Sequence, residues 1–325
     1  MPMPHSPDDW PKLLEAPKPK PPVPAYITPA ARREFIAYNY SIGPIQTCDL
    51  RRIREAVLSV VETNEIAPLG GKRCLLVNGP AGMGKSQAVV TAMLQDTARI
   101  WASRGRRSSL GRVNPWIYVE ATAAGQGRAL MRAINDFPGL PFGLRDTAGE
   151  LLVQLRKTAP AMGLRGIVID DAHMLRTADR DSRKLTDFLK SAITGLPVTL
   201  IFVGAGLRES ALLRQSGAGY PAAEQIARRA RLLDIETWAH RRGEPDEWSK
   251  LVVSINRLLA HPQGDAHLRL NRARAVEQLH RGSGGLIGVM IDWVKDAAAY
   301  AVTADLPLDS AALSATVPPL TRSAS

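Results

Sequence analysis

The sequence predicts an α/β fold, in which a parallel sheet flanked by helices is followed by a small C-terminal helical lid. Three observations support this prediction. Short apolar runs of strand length alternate with segments of helical spacing over much of the chain. A glycine-rich stretch at 79–86 separates one apolar run from a helical segment. From Glu244 onward the sequence shows helical patterns and no strand pattern.

The two ends of the chain are predicted to be flexible. Residues 1–30 include ten prolines, which interrupt helices and remove backbone donors, so this part is interpreted as a partly polyproline arm. Residues 303–325 are rich in Ala, Ser and Pro and are expected to fray. The α/β core is placed at 31–240 and the helical lid at 241–302.

Four apolar runs are the predicted strands of the sheet. They occupy residues 72–78, 116–119, 166–170 and 198–203. Helices are predicted after the Thr28-Pro29 cap and at 49–61, 87–95, 128–136, 147–157, 248–260 and 286–301, with a basic loop at 103–112. Because helices connect the strands, right-handed crossovers and parallel pairing are expected.

The stretch at 79–86 has the spacing of a phosphate-binding loop, Gly79-x4-Gly84-Lys85-Ser86. Glycines let backbone N–H groups approach phosphate oxygens, and the following helix presents its N-terminus to the same charge. Lys85 is expected to reach the β/γ-phosphates of ATP, and the Ser86 hydroxyl to bind Mg²⁺. The residues expected to contact the nucleotide are Gly79, Pro80, Ala81, Gly82, Met83, Gly84, Lys85, Ser86 and Gln87.

A strand that ends in two carboxylates completes the predicted nucleotide site. Residues 167–171 read Ile-Val-Ile-Asp-Asp, which places Asp170 beside the Mg²⁺ held by Ser86. Asp171 is expected to orient or deprotonate the attacking water, with a side chain one methylene shorter than glutamate. No chemistry is assigned to His173, since a histidine at a helix start is more often structural. The pair of motifs predicts an ATPase that releases ADP and phosphate.

Net charge and composition indicate which class of partner the protein binds and in which cellular compartment it is expected. A formal net charge of +11 favours a polyanionic partner, most simply nucleic acid, although an arginine-rich composition could give the same imbalance without binding. No segment reaches the ~20 apolar residues of a membrane span, and the N-terminus lacks the apolar core of a signal peptide. Cys48 and Cys74 are the only cysteines, which fits a reducing cytoplasm.

Four segments, taken in order, resemble the AAA+ ATPases of the TniB/TnsC class, which regulate transposition alongside a transposase. They are the loop at 79–86, the strand end at 169–175, and the segments 202–209 and 225–230. The resemblance implies a P-loop AAA+ parallel sheet flanked by helices, with a helical lid. It also implies ATP-dependent assembly of a homo-oligomer, as a ring or helical filament around double-stranded DNA. That assembly would recruit a transposase or a targeting protein.

The same resemblance assigns roles to two arginines. Arg229 matches the arginine finger that completes the ATP site of a neighbouring subunit, where a guanidinium supplied in trans would neutralise γ-phosphate charge. Arg228 is the adjacent alternative. Arg128 matches a basic position that faces DNA in the family. Each of these side chains could instead be an ordinary arginine on a solvated helix face.

Three departures from the family pattern are compatible with slow hydrolysis, whereas nucleotide binding is expected to survive them. The strand end at 203–206 lacks a polar sensor of the γ-phosphate, the lid segment at 281–288 lacks a second sensor arginine, and Asp171 replaces the commoner glutamate. Two other functions stay open: a helicase or replication-loader ATPase, and a non-hydrolysing nucleotide-switch scaffold. A small-molecule kinase fits least, because Arg229 and the lid would have no role.

Overall fold

The computed structural model describes residues 2–23, 28–66, 72–108, 111–121, 127–175, 195–208, 228–242 and 245–316. Contacts between Cα atoms divide the chain into two compact units. The first unit comprises Met1–Ala16, Cys48–Pro80 and Lys85–Ile235, and the second comprises Pro17–Thr47, Ala81–Gly84 and Glu236–Ser325. The chain therefore crosses between the two units more than once.

The strands of the structure all belong to the first unit. They are β1 (Cys74–Asn78), β2 (Arg107–Ser108), β3 (Gly111–Arg112), β4 (Trp116–Glu120), β5 (Gly166–Asp170), β6 (Thr199–Gly204) and β7 (Ala230–Asp234). Five of them form one parallel sheet in the order β4-β5-β6-β1-β7, while β2 and β3 pair as a separate antiparallel hairpin. The predicted parallel sheet is confirmed, and the predicted basic loop contains the β2–β3 hairpin.

The sequence does not predict β7. This strand lies at the edge of the sheet beside β1, and its residues are half-buried or exposed. The four strands that the sequence does predict are almost completely buried. Parallel strands that helices cover on both faces need continuous apolar runs, whereas an edge strand tolerates charged residues such as Arg231 and Asp234.

Helices cover the sheet and make up most of the second unit. They are α1 (Asp9–Glu15), α2 (Pro29–Ser41), α3 (Cys48–Ile66), α4 (Lys85–Arg104), α5 (Gly127–Asp136), α6 (Ala148–Met162), α7 (Glu247–Leu258), α8 (Ala273–Ser283), α9 (Ile287–Ala304) and α10 (Ser310–Ala315). The sequence predicts all but α1, α8 and α10. Within the described ranges, no helix combines the length and apolar character that crossing a bilayer requires.

The N-terminal region differs from the flexible arm expected at residues 1–30. Helix α1 belongs to the first unit, and its Trp10 is completely buried. The indole Nε1 donates a hydrogen bond to Asn114 Oδ1 at 3.1 Å, and the ring lies 6.2 Å from that of Phe137 between centroids. Prolines limit the length of helices in this region. The burial of Trp10 nevertheless holds α1 against the first unit.

A buried ionic cluster lies at the amino end of the sheet strands in the first unit. Arg165, directly before β5, donates to both carboxylate oxygens of Glu65 at 2.6 and 2.7 Å and also to Asp96. The Asp96 side chain is fully buried and also accepts from Trp116 Nε1 at 3.0 Å. Each buried charge is therefore paired and hydrogen-bonded, as burial of charge requires.

The second unit joins α2 to the C-terminal helices. The Thr28 hydroxyl caps α2 by accepting from the Ala31 N–H at 3.1 Å, as the Thr28-Pro29 signal predicts. The Asn39 side chain bonds both the N–H and the carbonyl of Ala260, each at 2.9 Å. Helix α2 thus groups with the lid region rather than with the core expected at 31–240.

The C-terminal region is ordered beyond the expected lid boundary at residue 302. Helix α10 lies within the predicted tail, and its Leu313 is completely buried. The Asp309 carboxylate caps this helix by accepting from the Ala311 N–H at 2.8 Å. Residues 317–325 lie outside the described residues. A buried leucine and a capping aspartate therefore keep residues 310–315 from fraying.

Candidate nucleotide-binding site

The loop after β1 begins with a close approach of two backbone segments in the first unit. The Gly79 N–H donates to Gly204 O at 3.2 Å, and the Ile235 N–H donates to Asn78 O at 2.8 Å. A Cβ on Gly79 would lie 2.4 Å from Ile235 O, a distance that no side-chain carbon tolerates. Position 79 therefore requires glycine for steric reasons, as the motif predicts.

The middle of the loop, Ala81–Gly84, groups with the second unit. Gly82 and Gly84 have φ angles of 78° and 76°, a left-handed conformation that glycine adopts without strain. Within the second unit, the Gly288 N–H near the start of α9 donates to Gly82 O at 2.6 Å. Pro80, Ala81 and the two glycines are exposed, whereas Met83 is buried.

Lys85 starts α4 and is buried. Its Nζ donates to Gly79 O at 2.9 Å and to Pro80 O at 2.7 Å. Burial lowers the pKa of this ammonium, while the negative charges of Asp170 and Asp171 act to raise it. The Lys85 side chain therefore lies in a partly dry site, under the electrostatic influence of two carboxylates. Ser86 and Gln87 follow in the first turn of α4 and are half-buried.

Asp170 ends β5 and is 4% exposed. Its Oδ2 accepts a hydrogen bond from the Tyr118 hydroxyl at 2.5 Å, and its Oδ1 accepts from the Asp171 N–H at 2.8 Å. Burial and the charge of Asp170 raise the pKa of Tyr118, so the hydroxyl stays a donor. The motifs of the sequence do not identify Tyr118. The available signal is a single hydroxyl within the apolar run at 116–119.

Asp171 adopts a left-handed backbone conformation, with φ 50° and ψ 34°. Its side chain is 61% exposed, and Oδ1 lies 3.9 Å from His173 Nδ1. The backbone of His173 also packs against the end of β6, where a Cβ on Gly204 would lie 3.1 Å from His173 N. His173, to which the sequence assigns no role, therefore lies next to Asp171. It also lies next to the end of β6, which has no polar sensor residue.

The donor chemistry at these positions fits a magnesium ion held together with phosphates. The described residues contain no group of three or more His, Cys, Asp or Glu side chains arranged to hold a metal. Magnesium rarely uses such clusters. It binds through one or two carboxylates or hydroxyls, with waters and substrate phosphates completing its octahedron. Ser86 and Asp170 are the residues that would hold it.

A polar network at the same end of the sheet involves residues that sequence analysis does not identify. Asn78, the last residue of β1, accepts from the Leu207 N–H at 2.9 Å and donates to Asp234 Oδ1 at 2.8 Å. Arg208 donates to both carboxylate oxygens of Asp234. Its guanidinium lowers the pKa of Asp234. The network links the ends of β1, β6 and β7 through side chains that no phosphate-loop pattern includes.

Arg229 lies at the opposite end of the strands from the phosphate loop. It directly precedes β7, whose first residue, Ala230, pairs with Cys74 at the start of β1. Burial raises the pKa of the Cys74 thiol to about 12, and the charge of Arg229 acts in the opposite direction. A five-residue strand spans roughly 16 Å, so Arg229 is not placed to reach the loop of its own chain. Residues 225–227 of the predicted finger motif lie outside the described residues.

Arg128 lies in the first turn of α5 and is exposed. Its guanidinium donates to the carbonyl of Leu144, which also accepts from Arg132 Nη2 at 2.6 Å. The side chain thus has a local backbone partner in this structure. A contact between Arg128 and DNA stays a prediction.

Comparisons with known proteins agree with this architecture. Residues 69–210 match the profile of a family described as AAA domain, which covers less than half of the chain. No curated protein sequence matches significantly. The fold is similar to that of the Aeropyrum pernix ORC2 protein solved as ADPNP-ADP complexes, with a TM-score of 0.57 and 13% identity over 84% of this chain and 68% of that one.

Two further solved structures share the fold. The Aeropyrum pernix ORC1 protein in complex with DNA has a TM-score of 0.57 and 14% identity, over 86% of this chain and 67% of that one. Cdc6p from Pyrobaculum aerophilum has a TM-score of 0.54 and 15% identity, over 82% and 65%. The order of the five parallel strands, the loop after β1 and the aspartate that ends β5 agree with the same assignment. The chain therefore has a P-loop fold of the AAA+ type.

Proposed function

We propose that this chain is an ATP-dependent DNA-binding ATPase that assembles on DNA and regulates transposition. The observation that carries the ATPase part is the meeting of three charged groups at the carboxyl ends of β1 and β5. A buried ammonium, Lys85, lies within the electrostatic influence of the buried Asp170 and the exposed Asp171. This is the arrangement that phosphoryl transfer to water requires.

Each residue has a distinct part in the proposed reaction. Lys85 would exchange the carbonyls of Gly79 and Pro80, which it now contacts, for the β/γ-phosphate oxygens of ATP. Ser86 and Asp170 would hold Mg²⁺, which supplies charge neutralisation between the phosphates when it is bound. Asp171, exposed and left-handed, would orient or deprotonate the attacking water.

The proposed assembly follows from the position of Arg229. Because this arginine lies at the amino end of β7, any contact with a γ-phosphate would come from a neighbouring subunit. A guanidinium supplied in trans makes hydrolysis depend on assembly. ATP binding and subunit association would then favour each other reciprocally.

Double-stranded DNA is the proposed scaffold for that assembly. The net charge of +11 supports a polyanionic partner. The Aeropyrum pernix ORC1 structure, of the same fold, contains DNA. The transposition role, with a transposase or targeting protein as partner, rests on the ordered motifs that resemble the TniB/TnsC class.

A replication initiator or loader is the second candidate. It is favoured by the fold shared with ORC and Cdc6 proteins. The two candidates differ in their protein partner. The transposition proposal predicts that the nucleotide- and DNA-bound protein retains a transposase in pull-down assays, and capture of a replicative helicase instead would favour the loader.

The ATPase proposal is tested by nucleotide binding and turnover, with and without duplex DNA. The Lys85→Ala variant should bind ATP roughly 10- to 100-fold more weakly, because a charge-assisted hydrogen bond contributes ~1.5–3 kcal/mol. Lys250→Ala removes an exposed lysine of the second unit and is the matched control. Equal ATP affinity of wild type and Lys85→Ala would contradict the site assignment. ATP binding with no turnover in any condition would leave the switch-scaffold function.

The trans contact is tested with Arg229→Ala. This variant should bind ATP as a monomer but lose the cooperative ATPase activity and the stable assemblies of the wild type. Sedimentation with DNA and a slowly hydrolysed ATP analogue measures assembly, and phosphate release from ATP measures the ATPase activity. If Arg229→Ala, Arg228→Ala and the double variant all assemble and hydrolyse like wild type, neither arginine is the finger.

A further inference from the structure

A cluster of exposed arginines surrounds the β2–β3 hairpin in the first unit. Arg104 ends α4, Arg106 directly precedes β2, and Arg107 and Arg112 are the first residue of β2 and the last residue of β3. All four residues are exposed. The hairpin lies at the amino end of the sheet, because β4 begins only four residues after Arg112. This hairpin surface is defined by Arg104, Arg106, Arg107 and Arg112.

The hairpin pairs two like charges in a way that disfavours its own folding. Arg107 and Arg112 are direct cross-strand partners. Side chains in that relation lie close together, and like charges placed there are destabilising. A two-stranded ribbon of this size is also marginal by itself. An anion bound over the pair would therefore reduce the electrostatic repulsion between Arg107 and Arg112.

Arg106 is held in a defined orientation next to this pair. Its guanidinium carbon lies 5.1 Å from the ring centroid of Trp101, a cation–π contact. Trp101 is itself fixed, being buried and donating from Nε1 to Val113 O at 2.9 Å. The Arg106 carbonyl accepts from the Val113 N–H at 3.0 Å. An arginine held this way loses less entropy when it binds an anion.

Two carboxylates, one in helix α1 and one directly before it, form ion pairs with two of these arginines. Glu15 Oε1 lies 2.9 Å from Arg106 Nη1, and Asp8 Oδ1, just before the helix, lies 3.3 Å from Arg112 Nη1. Among the residues that the structure describes, Arg104 and Arg107 form no ion pair. Both carboxylates are well exposed, at 60% and 77% of the side chain. Such exposed pairs contribute little and are readily exchanged.

We propose that the hairpin surface binds the phosphate backbone of duplex DNA, and that Asp8 and Glu15 occupy part of it as built-in competitors. This inference rests on the proposed function, which makes DNA the partner. The buried Trp10 keeps α1 docked, so the carboxylates can turn away from the arginines without the helix leaving. Phosphate contacts of this kind fix position and carry no base sequence.

The test is the affinity for a fluorescein-labelled duplex, measured by anisotropy over a range of salt concentrations. Each lost phosphate contact flattens the slope of log affinity against log salt by about 0.9. The triple variant Arg106→Gln, Arg107→Gln, Arg112→Gln should therefore lower the slope by about 2–3 and the affinity at least tenfold. The matched control removes the same charge from the second unit, through Lys250→Gln, Arg257→Gln and Arg269→Gln.

Two further variants separate charge from structure. Replacing Arg106, Arg107 and Arg112 by lysine keeps the charges, so most of the salt slope should remain even though the stacked guanidinium is lost. The pair Asp8→Asn, Glu15→Gln removes the competitors and should tighten DNA binding about 2- to 10-fold. ATP affinity, measured on every variant, reports correct folding of the first unit.

The outcomes distinguish this inference from the proposed function. If wild type binds duplex DNA and the glutamine triple matches the control triple, the hairpin inference is overturned and the DNA-binding proposal stands. If neutralising Asp8 and Glu15 leaves the DNA affinity unchanged or lowers it, the two carboxylates are not competitors. If wild type binds no DNA at low salt with ATP present, both proposals fail. Binding of polyglutamate in preference to DNA would assign the surface to an acidic protein instead.

Discussion

The two ends of the strands in the first unit carry charge in different ways. At the carboxyl end, Lys85 and Asp170 are buried, and each makes short hydrogen bonds to neighbouring protein groups. At the amino end, the arginines of the hairpin surface are exposed, and the carboxylates that pair with two of them are exposed as well. Buried, preorganised charges suit chemistry on one defined ligand, whereas exposed charges suit a long polyanion that can bind in several registers.

One group at the amino end breaks this contrast. Arg165 is also basic and lies directly before β5, yet its side chain is 4% exposed and paired with Glu65 and Asp96. Its charge is satisfied within the fold and is not offered to a ligand. Arg165 and Arg107 therefore differ in burial and not in their position along the strands, and only the exposed Arg107 is proposed to bind DNA.

The largest expected effect is on hydrolysis at the carboxyl end. Asp171→Asn should retain ATP and lose roughly 100- to 10,000-fold in turnover, the range for loss of a general base. Asparagine tolerates the left-handed backbone at this position. Asp305→Asn is a matched control, because Asp305 is also left-handed, with φ 57°. Steady-state turnover with saturating ATP measures the change, and normal turnover of Asp171→Asn would remove Asp171 from the mechanism.

The buried cluster should give the next largest effect, on stability. Asp96→Asn removes the charge that faces Arg165, Arg99 and the Trp116 indole. Breaking a buried ion pair in this way costs about 3–5 kcal/mol in free energy of unfolding. Urea denaturation followed by tryptophan fluorescence measures it, with the exposed Asp265→Asn as control. A change below ~1 kcal/mol would show that Asp96 is not an obligatory partner of Arg165.

A smaller effect is expected from the tyrosine that holds Asp170. Tyr118→Phe removes the hydroxyl that donates to Oδ2, so the carboxylate loses one of its two donors. Turnover should fall about tenfold and require more Mg²⁺, whereas nucleotide affinity without Mg²⁺ should not change. Tyr38→Phe, which loses a hydrogen bond to Leu258 O in the second unit, is the control. An unchanged Mg²⁺ titration for Tyr118→Phe would show that the tyrosine does not position Asp170.

The smallest expected effect is the acid sensitivity of the Asp234 network. Arg208 lowers the pKa of Asp234 below its ordinary value, so the folded state binds a proton less readily than the unfolded state. The pair therefore contributes stability above the ordinary pKa, and this contribution is lost as the pH falls through the lowered one. In the Arg208→Gln variant, the free energy of unfolding should depend less on pH below about 4. The difference from wild type should be less than ~1 kcal/mol. Urea midpoints across that range measure it, and identical profiles would contradict the assignment.

The carboxyl end could be predicted in detail because its requirements are local in sequence. A glycine that must approach Ile235 O and a lysine at a helix start belong to one motif of fixed spacing, and the aspartate directly follows an apolar strand. Tyr118 could not be predicted, because its contact with Asp170 depends on the register of β4 against β5. The docked α1 could not be predicted either, since Trp10 and Asn114 are far apart in sequence.

We propose that ATP binding at the carboxyl ends of the strands strengthens DNA binding at the amino ends, because both favour assembly. The most direct measurement is the affinity for duplex DNA at fixed salt, with and without Mg²⁺ and a slowly hydrolysed ATP analogue, for wild type and Lys85→Ala. We expect nucleotide to raise the DNA affinity of the wild type about 5-fold or more. Lys85→Ala should keep the nucleotide-free affinity and show no response. Equal DNA affinity in the two conditions, for wild-type protein shown to bind the nucleotide, would contradict this coupling.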